Sequence, residues 1–97
     1  MENIKEFRDN LLLEVLDTIK NKMIEELSEV LVDTMNDVIE TMTDCLFDKV
    51  MKFEAAVDYT LSTQKPELHP TLKMKLITLQ PLFMIYVDAL NYWNNIH

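Results

Sequence analysis

The chain has 97 residues, a net charge of −8, 48% apolar residues and no glycine. This length allows one domain at most, and a monomer of this size hides only roughly 60–65% of the surface of its unfolded chain. Phosphate-binding loops, dinucleotide-binding turns, EF-hand loops and nucleophile elbows all need glycine where the backbone turns tightly. The composition therefore excludes all four kinds of site.

Negative charge is concentrated in the first part of the chain. Residues 1–60 contain 15 acidic and 6 basic residues (net −9), whereas residues 61–97 contain 2 acidic and 3 basic residues (net +1). Binding to nucleic acid or to an anionic membrane relies on Lys and Arg, so we expect neither. A basic protein is the better-matched partner.

Cysteine usage and hydropathy predict a protein of the reducing cytoplasm. The single cysteine, Cys45, has no intramolecular disulfide partner, and the N-terminal residues lack the apolar segment of a signal peptide. The longest apolar run, Leu82–Val87, is far shorter than the ~20 residues that a membrane span needs. We therefore expect no membrane association.

Residues 3–61 are predicted to be helical, because they contain no proline or glycine and their apolar residues recur every three or four positions. One long helix and two helices of similar length both fit this pattern. The segment Asp33–Asp37 is the weakest helix former, and Asp37 with Glu40 has the spacing of a capping box, so we favour a bend or short break there. The apolar row consists of Ile24, Leu27, Leu31, Met35, Val38, Met42, Leu46, Val50, Phe53, Val57 and Leu61.

Prolines predict the remaining organisation. Two of the three prolines fall in residues 62–70, which we therefore expect to form a loop. Helical spacing returns over residues 71–96, with a kink or split near Gln80 caused by Pro81. The predicted fold is a single all-α domain over residues 1–97. It is a small bundle of two or three long amphipathic helices and a kinked last helix, and it forms homo-oligomers.

The most distinctive pattern is a row of seven acidic residues spaced by three or four positions, with no Lys or Arg between Lys22 and Lys49. On an unbroken helix this row forms a continuous negative line along one face. It is predicted to bind a basic surface, although a solvated face that only keeps the protein soluble has the same pattern. The row consists of Glu26, Glu29, Asp33, Asp37, Glu40, Asp44 and Asp48.

The last helix is apolar on two faces. Phe83, Tyr86, Leu90 and Trp93 lie on one face, which we predict to be an apolar interface with a second copy or another protein. The domain's own core is the alternative place for these side chains. The second apolar face consists of Leu82, Ile85, Ala89, Tyr92 and Ile96.

No residues suggest catalysis, a metal site or a cofactor. His69 and His97 have no other His or Cys at ligand spacing. Cys45 follows Asp44, whose charge opposes formation of a thiolate. The acidic residues show no pair in which one carboxyl is set in an apolar pocket. We therefore predict that the chain is not an enzyme and has no cofactor.

The predicted function is that of a non-enzymatic inhibitor or regulator that binds a basic protein through the acidic row, with the aromatic residues as apolar anchors. In its sharper form, the acidic row occupies a nucleic-acid-binding groove of that protein, as phage-encoded antagonists of nucleases and defence systems do. The alternative is a structural or chaperone-like subunit that assembles through its apolar faces.

Overall fold

The computed structural model describes residues 2–27 and 32–97, and all regular elements in these ranges are helical. The predicted all-α fold class is confirmed. Two short 3₁₀ turns, Phe47–Lys49 and Pro66–Leu68, lie between helices. The helices are α1 (Glu2–Glu26), α2 (Val32–Leu46), α3 (Phe53–Gln64), α4 (His69–Thr78) and α5 (Gln80–Ile96).

The break predicted at residues 33–37 is wrong, because α2 passes through this segment without interruption. Met35, Val38 and Met42 are fully buried along one side of α2. Burial of an amphipathic face contributes more to helix stability in a protein than intrinsic propensity does, so α2 forms despite its weak first turns. α1 ends at Glu26 and α2 begins at Val32, and residues 28–31 lie outside the described ranges.

The long helical region is also interrupted at a place that the sequence did not predict. Asp48 and Lys49 have φ values of 56° and 58°, the left-handed region in which a side chain costs roughly 1–2 kcal/mol per residue. Val50, which belongs to the predicted apolar row, is 73% exposed there, whereas Leu46 and Phe53 on either side are buried. Residues 3–61 therefore contain parts of three helices rather than one or two.

The C-terminal region is split by proline as predicted. α4 ends at Thr78 and α5 begins at Gln80, which leaves Pro81 in the first turn of a helix, where its missing N–H group is tolerated. Pro70 lies likewise in the first turn of α4. The loop expected over residues 62–70 is shorter than predicted, because α3 continues to Gln64 and α4 begins at His69.

The helices surround one apolar core. α3 packs against α2 and α4, while α1 packs chiefly along α5. His97 Nε2 at the end of α5 lies 3.3 Å from Asp9 Oδ1 near the start of α1, so these two helices are antiparallel. Fully buried side chains of the core include Met23, Leu27, Met35, Val38, Met42, Val57, Leu61, Leu76 and Phe83.

A polar cluster holds α3 and α4 together at the surface. Asp58 Oδ1 on α3 lies 3.0 Å from His69 Nε2 and 3.1 Å from Lys73 Nζ, both on α4. Hydrogen bonds from Lys73 and, to a smaller extent, from His69 lower the pKa of the Asp58 carboxyl below its ordinary value. The cluster therefore favours the ionised carboxylate in the folded chain.

We expect this cluster to make the protein less stable in acid. Because folding lowers the pKa of Asp58, its contribution to stability is complete above the ordinary carboxyl pKa and is lost as pH falls through the folded-state pKa. Asp58→Asn should therefore lose less stability between pH 7 and pH 3 than the wild-type chain, measured by urea unfolding at both pH values. Glu54→Gln, an exposed substitution on the same helix, is the control, and equal losses for all three chains would contradict the prediction.

Candidate functional site: the acidic face of α2 and its groove

Four residues of the predicted acidic row lie on one face of α2. Asp33, Asp37, Glu40 and Asp44 are all exposed. At 3.6 residues per turn, their positions fall within an arc of about 60°, almost opposite the buried side that carries Met42. Eleven residue steps separate the first from the last, so the four carboxylates cover about 16 Å of helix. We call these four residues the acidic face.

The rest of the predicted row does not continue this line. Glu26 belongs to α1, where Lys22 Nζ lies 3.1 Å from its Oε1 atom. Asp48 is exposed, but its left-handed backbone places it outside α2. Glu29 lies outside the described residues. The prediction of a continuous seven-residue line on one helix is therefore wrong in extent. In the structure, the four residues of the acidic face share one side of α2.

The acidic face differs from other carboxylates of the chain in its pairing. Asp9, Glu26, Asp58 and Glu67 each lie within ion-pair distance of a Lys, Arg or His side chain. Within residues 2–27 and 32–97, none of the four carboxylates of the acidic face forms such a pair. α2 also contains no Lys or Arg. Its carboxylates therefore make no ion pair with the described part of the chain, and Lys20 of α1 is the basic residue that lines the groove beside Glu40 and Asp44.

An open groove of about 410 Å³ runs along the edge of the acidic face, where α1, α2 and α5 meet. Glu40 and Asp44 line it from α2, Tyr86 and Leu90 from α5, and Lys20 from α1. Carboxylates thus stand beside an aromatic ring and an aliphatic side chain in one depression. This combination suits a long cationic side chain, whose charge meets carboxylates while its stem covers apolar surface.

Tyr86 links the groove to a further acidic residue. Partial burial raises the pKa of its hydroxyl above the ordinary value, and the nearby negative charges of Asp17 on α1 and Glu40 on α2 raise it further. The phenol therefore stays neutral and can donate a hydrogen bond at any pH near 7. Asp17 adds negative potential to the groove from a second helix.

A second depression extends the same surface toward the end of α2. It has a volume of about 430 Å³ and is lined by Asp44, Phe47, Asp48, Val50, Leu90 and Asn94. Asp44 and Asp48 thus line the same depression, although the two residues do not share a helix. Exposed Val50 adds an apolar side chain to its lining.

The four residues of the apolar interface predicted on the last helix lie in different surroundings in the structure. Phe83 is fully buried in the core, where its ring centroid lies 5.8 Å from that of Phe53, so the prediction that it is free to meet a partner is wrong. Tyr86 and Leu90 are half-buried and line the groove. Trp93 is half-buried and stacks on His97 with ring centroids 3.9 Å apart.

The described residues do not assemble a metal site. No group of three or more His, Cys, Asp or Glu side chains in residues 2–27 and 32–97 is arranged to hold a metal ion. His69 and His97 each lie against an aspartate instead. Cys45 is a half-buried free thiol.

Sequence reasoning missed Lys20 and Asp17 as members of this surface. Both lie on α1 and outside the spacing of the acidic row, and the sequence alone carries no signal for which face of α1 meets α2 and α5. Comparison with protein-family models, with characterised proteins and with solved structures finds no match for this chain.

Proposed function

We propose that this chain is a non-enzymatic binding protein that inhibits or regulates a basic protein partner through the acidic face and its groove. The observation that carries the proposal is the set of four exposed carboxylates on one side of α2, without a Lys or Arg ion pair in the described residues. Like charges spaced by three or four residues oppose helix formation by a few tenths of a kcal/mol per pair. A basic partner would offset this cost.

The groove gives the proposal a specific contact. An Arg or Lys side chain of the partner would enter between Glu40, Asp44 and Tyr86 and would meet two carboxylates and an aromatic ring. Cation–aromatic contacts strengthen when the cation is partly desolvated, as it is in a groove. Tyr86 and Leu90 thus keep the anchoring role predicted for them, while Phe83 supports them from the core.

The sharper form of the proposal is that the partner surface is a nucleic-acid-binding groove. Steps of three and four residues place one carboxylate per roughly 4.5–6 Å of helix, whereas one strand of duplex DNA carries a phosphate every ~3.4 Å. The acidic face covers about five phosphate positions of a strand. This length supports competition for part of a phosphate-binding groove rather than replacement of a whole duplex.

A second candidate is a structural or chaperone-like subunit that acts through apolar surface. Large apolar side chains on α1 favour it, since Ile4 and Phe7 are 66% and 70% exposed.

The cytoplasmic location expected from the sequence stays a prediction. Among the described residues, no helix is both long and apolar enough to cross a membrane.

Affinity capture at two salt concentrations tests the proposal. The tagged full chain should retain a basic protein from a lysate of its native cells at 50 mM salt and lose most of it at 500 mM, because exposed charge pairs are screened. Neutralising the acidic face by Asp33→Asn, Asp37→Asn, Glu40→Gln and Asp44→Asn should remove the same protein at low salt.

A matched control keeps the net charge equal to that of the neutralised chain. Glu6→Gln, Glu14→Gln, Glu54→Gln and Asp88→Asn also remove four negative charges from exposed positions, but none from α2. This control should retain the partner. Capture that survives both 500 mM salt and neutralisation of the acidic face would contradict the proposal and favour assembly through apolar surface.

A further inference from the structure

The groove and the second depression meet and form one cleft between α2 and α5. Asp44 of α2 and Leu90 of α5 line both of them, whereas Tyr86 lines the groove and Asn94 the second depression. Tyr86, Leu90 and Asn94 are four residues apart, so they repeat once per turn on one side of α5 and span about 12 Å. We call this two-turn channel the α2–α5 cleft.

The two walls of the α2–α5 cleft differ in charge. Glu40, Asp44 and Asp48 line it from the α2 side. α5 contains no Lys or Arg, and its one acidic residue, Asp88, lines a different depression together with Lys49. One wall is therefore negative along its length and the other is uncharged.

The charge of the lining indicates how many cations the cleft accepts. The three carboxylates of the α2 side contribute −3, and Lys20 of α1, the only basic residue that lines either depression, contributes +1. The lining therefore has a net charge of −2, which two cationic side chains neutralise. Charge complementarity of this kind selects partners and suppresses wrong ones.

The cleft also offers apolar surface beside its carboxylates. Leu90 is half-buried where the two depressions meet, and Phe47 is half-buried in the second one. Val50, also in the second depression, is 73% exposed. A small polyamine would leave these side chains in water, whereas an amphipathic segment of a protein would cover them.

The backbone of the walls favours a helical occupant. An extended segment satisfies its backbone N–H and C=O groups by pairing with a strand edge, and both walls of this cleft are built on helices. A helix satisfies these groups internally. Its side chains also repeat about every 6 Å, in step with α5, whereas four residues of an extended chain cover ~13 Å against the ~12 Å of the cleft.

We propose that the α2–α5 cleft binds an amphipathic α-helix of the basic partner, which presents two Lys or Arg residues one turn apart with aliphatic residues beside them. One cation lies between Glu40 and Asp44 and the other between Asp44 and Asp48, while the aliphatic side chains cover Leu90 and Val50. This inference rests on the proposed function, because it names the segment of the basic partner that the site recognises.

Fluorescence anisotropy of labelled synthetic peptides, titrated with the full chain at 50 mM salt, tests the helix. Two peptides of about 16 residues, long enough for four helical turns, have the same composition. In the first, Arg at i and i+4 and Leu at i+3 and i+7 share one face. In the second, the same residues are distributed around the helix. The first peptide should bind at least tenfold more tightly, and equal affinities or no binding of either peptide would overturn the proposal.

Adjacent asparagines provide a matched pair of variants. Asn94→Lys places a positive charge inside the cleft, whereas Asn95→Lys makes the same change at the next residue, which is also exposed and lines neither depression. Asn94→Lys should lower the affinity for the first peptide at least fivefold, and Asn95→Lys by less than twofold. Equal effects would overturn the proposal. Far-UV circular dichroism confirms that both variants retain their helices.

Apolar contact is tested in the same way. Val50→Gln should weaken binding of the first peptide at least threefold, because Val50 lines the cleft. Ile85→Gln is the control, since Ile85 is 53% exposed on α5 and lines neither depression. If Val50→Gln has no greater effect than Ile85→Gln, the occupant makes only charge contacts and the proposed amphipathic helix is wrong.

Capture from a lysate separates failure of this inference from failure of the proposed function. A basic protein that is lost on neutralising the acidic face but retained equally by Asn94→Lys and Asn95→Lys would overturn the helix in the cleft and leave the proposed function standing. Loss of that protein with Asn94→Lys alone supports the helix. Capture that survives neutralisation of the acidic face and 500 mM salt would contradict both proposals.

Discussion

Replacing Phe83 by alanine is expected to lower the free energy of unfolding by about 3–5 kcal/mol, the largest effect of any single substitution proposed for this chain. Phe83 is fully buried, and its ring meets Phe53 at a tilt of 57° with centroids 5.8 Å apart. Truncation removes that contact and leaves a cavity between α3 and α5. A native domain has only about 5–15 kcal/mol of stability, so Phe83→Ala should remove a large fraction of it.

Chemical unfolding of three variants tests this expectation. Phe83→Leu keeps most of the buried volume and should cost less than about 1.5 kcal/mol. Tyr59→Ala removes a ring that is 50% exposed, so its effect should be within about 0.5 kcal/mol. If Phe83→Ala and Tyr59→Ala have equal effects, Phe83 does not belong to the core. The sequence-based prediction that Phe83 contacts a partner would then be favoured again.

The helices could be predicted from the sequence because the buried residues recur every three or four positions, as the apolar residues of the sequence do. Met35, Met42 and Leu61 of the apolar row are all fully buried. The position of the first break could not be predicted from propensity, because Asp33–Asp37 is held in α2 by the burial of Met35 and Val38. Pro81 was easier to interpret, since its ring and missing N–H group act locally whatever the tertiary contacts are.

The interruption after Leu46 shows how a regular pattern can hide a turn. Leu46, Val50 and Phe53 continue the helical spacing across it, but only Leu46 and Phe53 are buried. α2 and α3 each direct an apolar row into the same core, and their rows happen to keep phase across the turn. Without glycine, the turn uses left-handed Asp48, a residue type that tolerates this region, and Lys49, which gives no turn signal.

The candidate site could be predicted only as far as it lies on one helix. Asp33, Asp37, Glu40 and Asp44 share a face because of their spacing, which the sequence contains. The neighbourhood of Tyr86, with Asp17 and Glu40 close enough to raise its pKa, depends on how α1, α2 and α5 pack. The residues of the predicted apolar interface lie in different surroundings for the same reason, since only packing decides that Phe83 is buried in the core and Tyr86 lines the groove.

Reversing charge at the groove is expected to have the largest effect on partner binding. Glu40→Lys with Asp44→Lys places two positive charges where the proposal puts an Arg or Lys of the partner, and like-charge contacts of this kind cost several kcal/mol. We expect affinity for the captured partner to fall about 100-fold, which corresponds to about 2.7 kcal/mol. The dependence of binding on salt should weaken at the same time, because attractive pairs are lost.

The control for this prediction reverses equal charge on another helix. Glu54→Lys with Glu67→Lys changes the net charge by the same amount, and both residues are exposed and lie away from the groove. A purely long-range effect of net charge would weaken binding equally in both double variants, measured by titration calorimetry at 50 mM salt. Loss confined to Glu40→Lys with Asp44→Lys assigns binding to the groove, whereas loss caused only by replacing exposed Phe7 would move the partner site to α1.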